Sequence, residues 1–128
     1  MKTTIKSVRD LEVYKLAFAA AMQIFEITKN FPPEERYSLT DQIRRSSRSV
    51  CSNLSEGWRK RAYIAAFKSK LADSMQEASE TQTWLDFSLA CKYITNETHE
   101  DLDKQYEVIL AKLNNMDKKA ETFCFKFR

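Results

Sequence analysis

The sequence feature that most constrains the fold is a near absence of residues that form turns. The chain has 128 residues but only one glycine and two prolines. A β-sheet needs turns at many places, and those turns depend on such residues. A few long helices joined by short loops suit this chain better, and its length fits one domain. We therefore predict an all-α fold in a single domain, 1–128.

The spacing of apolar residues divides the chain into four segments with helical periodicity. The predicted helices cover about 10–30, 34–58, 62–93 and 98–123. Pro32 and Pro33 end the first helix, and Gly57 marks an end or bend of the second. Thr98 with Asp101 is typical of a variant capping box that starts the fourth. Because loops this short make sequential helices antiparallel, we predict an up-and-down four-helix bundle.

Each predicted helix has apolar or small residues that fall on one stripe and are expected to face the core. In helix two these are Leu39, Ile43, Ser47, Val50 and Leu54; in helix three, Phe67, Leu71, Ser74, Ala78, Thr81 and Leu85. In helix four they are Leu102, Tyr106, Ile109, Leu113, Met116, Ala120 and Phe123. Helix one has two such stripes, Leu11–Tyr14–Phe18–Ala21–Phe25 and Val13–Ala17–Ala20–Ile24–Ile27. A helix this apolar is expected to contact more than one neighbour.

The net charge of +3 conceals a strong asymmetry along the chain. Residues 36–70 have nine Lys/Arg against two Asp/Glu, a net of +7, whereas residues 71–107 have nine acidic against two basic residues, a net of −7. This division predicts one basic and one acidic surface, or two surfaces that meet.

The basic segment supplies a candidate nucleic-acid interface on the far side of helix two. Its members are Arg44, Arg45, Arg48, Arg59, Lys60 and Arg61. Arginine guanidinium groups match phosphate oxygens, and several together give binding that weakens with salt. The alternative is a solvated face, or ion pairs with the acidic helix three. The segment lacks the interleaved aromatic residues that would indicate base stacking.

Two further stripes are candidates for contacts within or between subunits. A small, polar stripe on helix two is formed by Gln42, Ser46, Ser49, Asn53 and Glu56. If buried, it is expected to fix register or oligomeric state; the alternative is simple exposure. An apolar stripe on helix three, with Trp84, Phe87, Cys91 and Ile94, is a candidate oligomer interface. The phenylalanine-rich tail at 123–127 is expected to dock on its own bundle or on a neighbour.

The residues of common catalytic and cofactor sites are missing from the sequence. One glycine cannot build a phosphate-binding loop, and three scattered cysteines with a single histidine, His99, do not make a zinc site. We therefore expect no enzyme activity, no cofactor and no metal. The remaining alternative is a carboxylate metal site formed by Asp73, Glu77 and Glu80, although such residues usually form a solvated helix face.

The cysteines and the hydropathy bear on where the chain functions. Cys51, Cys91 and Cys124 are far apart and odd in number, which favours a reducing cytoplasm over a disulfide framework. The sequence has neither a long apolar run nor an apolar leader at its start, so we expect no membrane partner.

Several short motifs run along the chain: DLEVYKLA at 10–17, FP at 31–32, ERYSLTDQIRR at 35–45 and SVCSNLSEG at 49–57, followed by Arg61 and by Glu77 with Thr81. With these motifs, nearly the whole chain resembles the bacterial four-helix-bundle proteins encoded within intervening sequences of 23S rRNA genes. The family usually has proline in place of Cys51 and often glycine in place of Asp73. Cys51 is expected to leave helix two straighter, because proline removes a backbone hydrogen bond.

The resemblance implies a four-helix bundle that assembles into a ring, a homopentamer. The chain is also similar to the accessory variability determinant of diversity-generating retroelements, a basic pentameric bundle that binds its reverse transcriptase and nucleic acid. Our first hypothesis is thus a non-enzymatic oligomeric bundle that binds RNA or DNA through the six cations of helix two. The alternative is a protein-interaction scaffold or adaptor that binds no nucleic acid.

Overall fold

The structure, a computed structural model, describes residues 5–125, and these residues form four long helices. The helices are α1 Glu12–Thr28, α2 Leu39–Arg59, α3 Ile64–Ala90 and α4 Asn96–Lys118. A short helix, α5 (Ala120–Phe123), follows α4, and 3-10 turns at Val8–Asp10 and Pro33–Glu35 precede α1 and α2. Within residues 5–125 there is no strand, and no helix has the length and apolar character needed to cross a membrane. The all-α prediction is confirmed.

Contacts between the helices show that the bundle is closed and antiparallel. The start of α1 lies beside the end of α4, where Lys112 Nζ is 3.3 Å from Glu12 Oε2. The end of α1 lies beside the start of α4, where Gln23 donates to Asp101 over 3.2 Å. Contacts of the same antiparallel kind join α2 to α3, at Ser46–Thr81, Val50–Ser74 and Glu56–Lys70. The predicted up-and-down four-helix bundle is confirmed.

The core is built from the residues that the periodicity selects. All the core positions predicted in α2 and α3 are buried, and so are those of α4 and α5 apart from the half-buried Phe123. Of the two stripes on α1, the one with Val13, Ala17, Ala20 and Ile24 faces the core. The other stripe is only partly covered, and Phe18 is 52% exposed.

The helix ends differ from the sequence prediction by a few residues. The first helix starts at Glu12, after the 3-10 turn, and the second starts at Leu39 instead of 34 because Pro33–Glu35 form a 3-10 turn. The third helix ends at Ala90, and Lys92 then adopts a left-handed conformation with φ of 64°. These turns are local structures that apolar periodicity does not detect.

The start of α4 is set by a different cap from the predicted one. The helix begins at Asn96, and the side chain of Thr95 accepts a hydrogen bond from the backbone N–H of Thr98 over 3.1 Å. The predicted capping box of Thr98 and Asp101 is therefore wrong. Thr95 is extended and lies just before the first helical turn, which is the geometry of an N-cap.

Gly57 lies inside α2, which continues for two residues to Arg59. A Cβ atom added to Gly57 would lie 2.9 Å from Cβ of Lys70 on α3, which is closer than two such atoms pack. The glycine therefore allows α2 and α3 to approach closely, and its role is in packing. The helix end or bend expected at Gly57 is not found there, because α2 ends two residues later at Arg59.

Candidate nucleic-acid interface

The six candidate cations divide into two packed arginines and four exposed side chains. Arg44 is the first packed one. Its Nε donates to Thr28 Oγ1 over 2.8 Å, and its guanidinium lies 4.8 Å from the ring centre of Phe25 on α1. Arg44 therefore helps to join α2 to α1 and has fewer donors available for a ligand.

Arg61 is the second packed arginine, in the turn after α2. Its Nε donates to the backbone oxygen of Trp58 over 2.8 Å, and its guanidinium stacks 3.7 Å from the centre of the Trp58 ring. The ring of Phe125 lies on the guanidinium as well, at 4.7 Å. The position of Arg61 is thus fixed by two aromatic rings and a backbone carbonyl.

The four exposed cations, Arg45, Arg48, Arg59 and Lys60, are called the outer cations below. At 3.6 residues per turn, the three arginines fall within about 60° of one another around α2, and Lys60 follows at its end. The distance along the helix from Arg45 to Lys60 is about 22 Å at 1.5 Å per residue. The outer cations therefore form one elongated positive face.

Little negative charge compensates the outer cations. Arg45 lies 3.8 Å from Asp41, one turn earlier on the same helix, and Arg48 lies 5.8 Å from the ring centre of Phe25. Within residues 5–125, Arg48, Arg59 and Lys60 form no salt bridge. No salt bridge joins any of the six candidate cations to α3 in this part of the chain, but the charge of Arg45 reaches Glu77 of α3 and opposes the rise in its pKa that burial causes.

The polar stripe on α2 turns toward α3 and is partly buried. Ser46 is buried and accepts a hydrogen bond of 2.8 Å from Thr81, while Asn53 donates to the backbone oxygen of Ser49 over 3.0 Å. Glu56 is exposed and lies 2.8 Å from Lys70, whose ammonium lowers the pKa of the Glu56 carboxyl. Gln42 at the other end is exposed. The middle of the stripe is thus used for packing, and its ends remain accessible.

The apolar stripe on α3 is divided between the core and the surface. Trp84 and Ile94 are partly buried against the core, whereas Phe87 is 54% exposed and Cys91 is exposed. A second exposed apolar region lies on α1. It includes Phe18, from the stripes that led us to expect helix one to contact more than one neighbour, and Met22, which neither stripe includes. Periodicity placed Phe18 on a stripe of helix one, but it could not show which of the two stripes remains uncovered.

The three carboxylates of α3 do not form a metal site. Asp73 lies 3.8 Å from the ammonium of Lys70. Burial, and then the nearby charge of Glu80, raises the pKa of Glu77. Among residues 5–125 no group of three or more His, Cys, Asp or Glu side chains could hold a metal ion. The carboxylate alternative therefore has no support from this geometry.

The three cysteines form no disulfide, and the described part of the tail packs on the bundle. All three cysteines are free. Cys51 is buried within α2, and this burial raises the pKa of its thiol to about 11. Phe123 packs against the core, and the N–H of Phe125 donates to the backbone oxygen of Arg61 over 3.0 Å. Lys126 and Phe127 of the predicted tail lie outside the described residues.

The residues that carry the predicted motifs lie in or just before α1, in the segment between α1 and α2, in α2 and the turn after it, and along α3. A family model for the 23S rRNA-intervening sequence protein matches residues 9–115. The chain belongs to this family. The match includes α1 to α3, most of α4 and all six candidate cations, so the resemblance found in the sequence is confirmed.

A solved crystal structure is similar to this chain over most of its length. The crystal structure of a protein with unknown function from the S23 ribosomal protein family of Bacteroides thetaiotaomicron is similar to this chain, with a TM-score of 0.75 and 28% sequence identity. The similarity covers 83% of this chain and 98% of that one. No curated protein matches the chain. The comparisons therefore establish the family and the fold, and they assign no activity.

Proposed function

We propose that this member of the 23S rRNA-intervening sequence protein family is a non-enzymatic, oligomeric bundle that binds nucleic acid through the outer cations. The observation that supports this most strongly is that Arg48, Arg59 and Lys60 form no salt bridge with any residue in 5–125 and lie on one exposed face. Uncompensated guanidinium groups attract phosphates and can bind them in a bidentate manner. No base-specific contact is needed for such binding.

The proposal predicts binding with little sequence preference and strong salt dependence. Each phosphate neutralised by a cation releases a bound counterion, so affinity falls as the salt concentration rises. We expect anisotropy of a labelled, structured RNA to show binding at low salt and a steep linear fall of log K with log[salt]. Absence of binding at low salt, or an affinity that does not change with salt, would contradict the proposal.

The second candidate is a protein-interaction scaffold, which the exposed aromatic and aliphatic side chains favour. Phe18 and Met22 on α1 and Phe87 on α3 are each about half exposed, and they lie on different sides of the bundle. Two separate apolar regions on one chain suit head-to-tail contacts, which close into rings when the rotation allows. The ring and the pentamer implied by the resemblance are part of this proposal.

Light scattering at micromolar concentration tests the assembly. We expect a mass several times that of the 15.0 kDa chain. Phe87→Ser and Phe18→Ser should each reduce this mass, whereas Val108→Ser, at an exposed apolar residue of α4 outside both regions, serves as the matched control. A monomer at this concentration would contradict the oligomeric part of the proposal and leave the nucleic-acid part to the salt series.

A further inference from the structure

A pocket of about 300 Å³ lies at the end of the bundle where three parts of the chain meet. The segment before α1 contributes Lys6 and Arg9, the end of α2 and its following turn contribute Arg59 and Arg61, and the tail contributes Phe125. This volume is at the lower end of the range for small-molecule pockets. The pocket is therefore large enough for a small ligand, and it was not predicted from the sequence because its parts are far apart in the chain.

The charge of this pocket has one sign. Four of its lining side chains are cationic, and none of the described residues that line it is acidic. Within residues 5–125, the side chains of Lys6, Arg9 and Arg59 form no salt bridge. The nearby carboxylate of Asp10 accepts the backbone N–H groups of Lys6 and Ser7, at 2.8 and 3.0 Å, and so caps the 3-10 turn. The pocket is consequently suited to an anion.

One cation of the pocket is already held in place. Arg61 is fixed by Trp58 and Phe125, and its Nε is occupied by the Trp58 carbonyl, which leaves the terminal nitrogens of the guanidinium as donors. Burial lowers the pKa of Arg61, and the charge of Arg59 acts in the same direction. Arg59 thus repels Arg61 within the pocket, and a bound anion would relieve this repulsion.

We propose that this pocket binds a terminal phosphate, the phosphomonoester dianion of a free nucleotide or of the 5′ end of a nucleic-acid strand. A dianion suits four cations better than the single charge of an internal phosphodiester does. A pocket bounded by three chain segments admits a chain end more readily than a strand that must enter and leave. Phe125, 58% exposed beside Arg61, offers a ring face on which the attached base can stack.

This inference goes beyond the proposed function, because the pocket would bind a terminal phosphate whether or not the outer cations bind a strand. Arg59 is shared by both surfaces, so it is not the residue to change first. Arg9 lines the pocket, is exposed and lies outside α2. Lys118, an exposed cation at the same end of the bundle but outside the pocket, provides the matched control.

The test uses pairs of ligands that differ only in the terminal phosphate. Calorimetry would compare AMP with adenosine, and anisotropy would compare one oligonucleotide with a 5′-phosphate or a 5′-hydroxyl. We expect the phosphorylated ligand to bind at least about tenfold more tightly in one or both pairs, since hydrogen bonds to a charged group are worth this much. A preference in the AMP pair identifies a free nucleotide as ligand, and a preference in the oligonucleotide pair alone identifies the strand end.

The variants connect this preference to the pocket. Arg9→Ala should reduce the preference by about tenfold, whereas Lys118→Ala should leave the ratio unchanged. Equal affinities for phosphorylated and unphosphorylated ligands, or a preference that Arg9→Ala does not alter, would overturn the inference. If salt-dependent strand binding persists without the preference, the pocket fails and the proposed function stands. If the phosphate preference is found without salt-dependent strand binding, the pocket stands and the proposed function fails.

Discussion

The two faces of α2 differ in what covers them. The buried face consists of apolar and small residues, and it approaches α3 so closely that Gly57 has no room for a side chain. The outer face has exposed cations at Arg45, Arg48 and Arg59, of which Arg48 borders the ring of Phe25 on α1. One helix thus combines a face whose residues fix the fold with a face whose residues are available for a ligand.

Arg44 shows that the border between these faces depends on the neighbouring helix. It is one residue from Arg45 in sequence, yet it is packed against Phe25 and Thr28 of α1. Arg44 is used for packing against α1, whereas Arg48 borders the same Phe25 ring at 5.8 Å and stays exposed. The number of arginines in a segment therefore overstates the charge that a ligand can reach.

The largest effect should come from a cavity on the buried face. Leu54 is fully buried, so Leu54→Ala should lower the free energy of unfolding by about 2–5 kcal/mol. Arg59→Ala on the outer face should change it by no more than about 0.5 kcal/mol. Urea unfolding followed by circular dichroism measures both. Similar losses for the two variants would contradict the division between the faces.

The close approach of α2 to α3 can be tested by adding atoms. Gly57→Leu should lower the free energy of unfolding by about 1–3 kcal/mol, because its Cβ would already overlap Lys70 on α3. The control is Ser52→Leu, which adds the same side chain at an exposed position of the same helix. The stabilities of the two variants are compared by their midpoints of denaturant unfolding at equal m-values. The packing role of Gly57 is wrong if the glycine variant is as stable as the control.

A buried hydrogen bond between the helices should have a smaller effect. Thr81 donates to Ser46 across the contact of α3 with α2, so Thr81→Val should cost about 1–2 kcal/mol by leaving the Ser46 hydroxyl without this partner. Thr83→Val, at an exposed position of α3, is the matched control. Thermal unfolding of both variants gives the difference, and a Thr81→Val variant as stable as its control would refute the bond's contribution.

The smallest effect should come from a hydrogen bond at the surface. Tyr93 donates to Glu35 over 2.9 Å. The hydrogen bond from Ser38, and then the one from Tyr93, lowers the pKa of the Glu35 carboxyl, and the bond to Glu35 raises the pKa of Tyr93 to about 12. Its stabilisation should be lost as pH falls below the ordinary Glu value, and lost again as pH rises from about 10 through 12. Tyr93→Phe should therefore lower Tm most between about pH 5 and 10. A Tm difference independent of pH would exclude this linkage.

Periodicity in the sequence predicted the bundle because core packing imposes a repeat on every helix. The stripe of helix four that includes Leu102, Tyr106 and Ile109 is buried as predicted, and so are the core positions of α2 and α3. The helix ends were predicted less well. The Thr95 cap and the turn at Pro33–Glu35 depend on single side chains and local backbone geometry, which a repeat of apolar residues does not contain.

The sequence predicted which cations belong to the candidate site, but it did not predict how these side chains are arranged in the folded protein. The sequence located the basic segment, yet Arg44 packs against Phe25 and Arg61 against Phe125, and these rings are far away in the chain and reach the arginines only by folding. The end pocket was missed for the same reason. Its cations Lys6 and Arg9 come before α1 in the chain, whereas Arg59 and Arg61 lie at the end of α2 and in the turn after it. Contacts between distant segments have no signature in the spacing of a single sequence.

The most direct test of the central claim is the salt dependence of RNA binding when the outer cations are removed together. A variant with Arg45, Arg48, Arg59 and Lys60 changed to Gln would be compared with one in which Lys15, Lys104, Lys118 and Lys119, exposed elsewhere, are changed in the same way. We predict that the slope of log K against log[salt] falls in magnitude by about 3 in the first variant and changes little in the second. Equal slopes for the two variants would contradict the account.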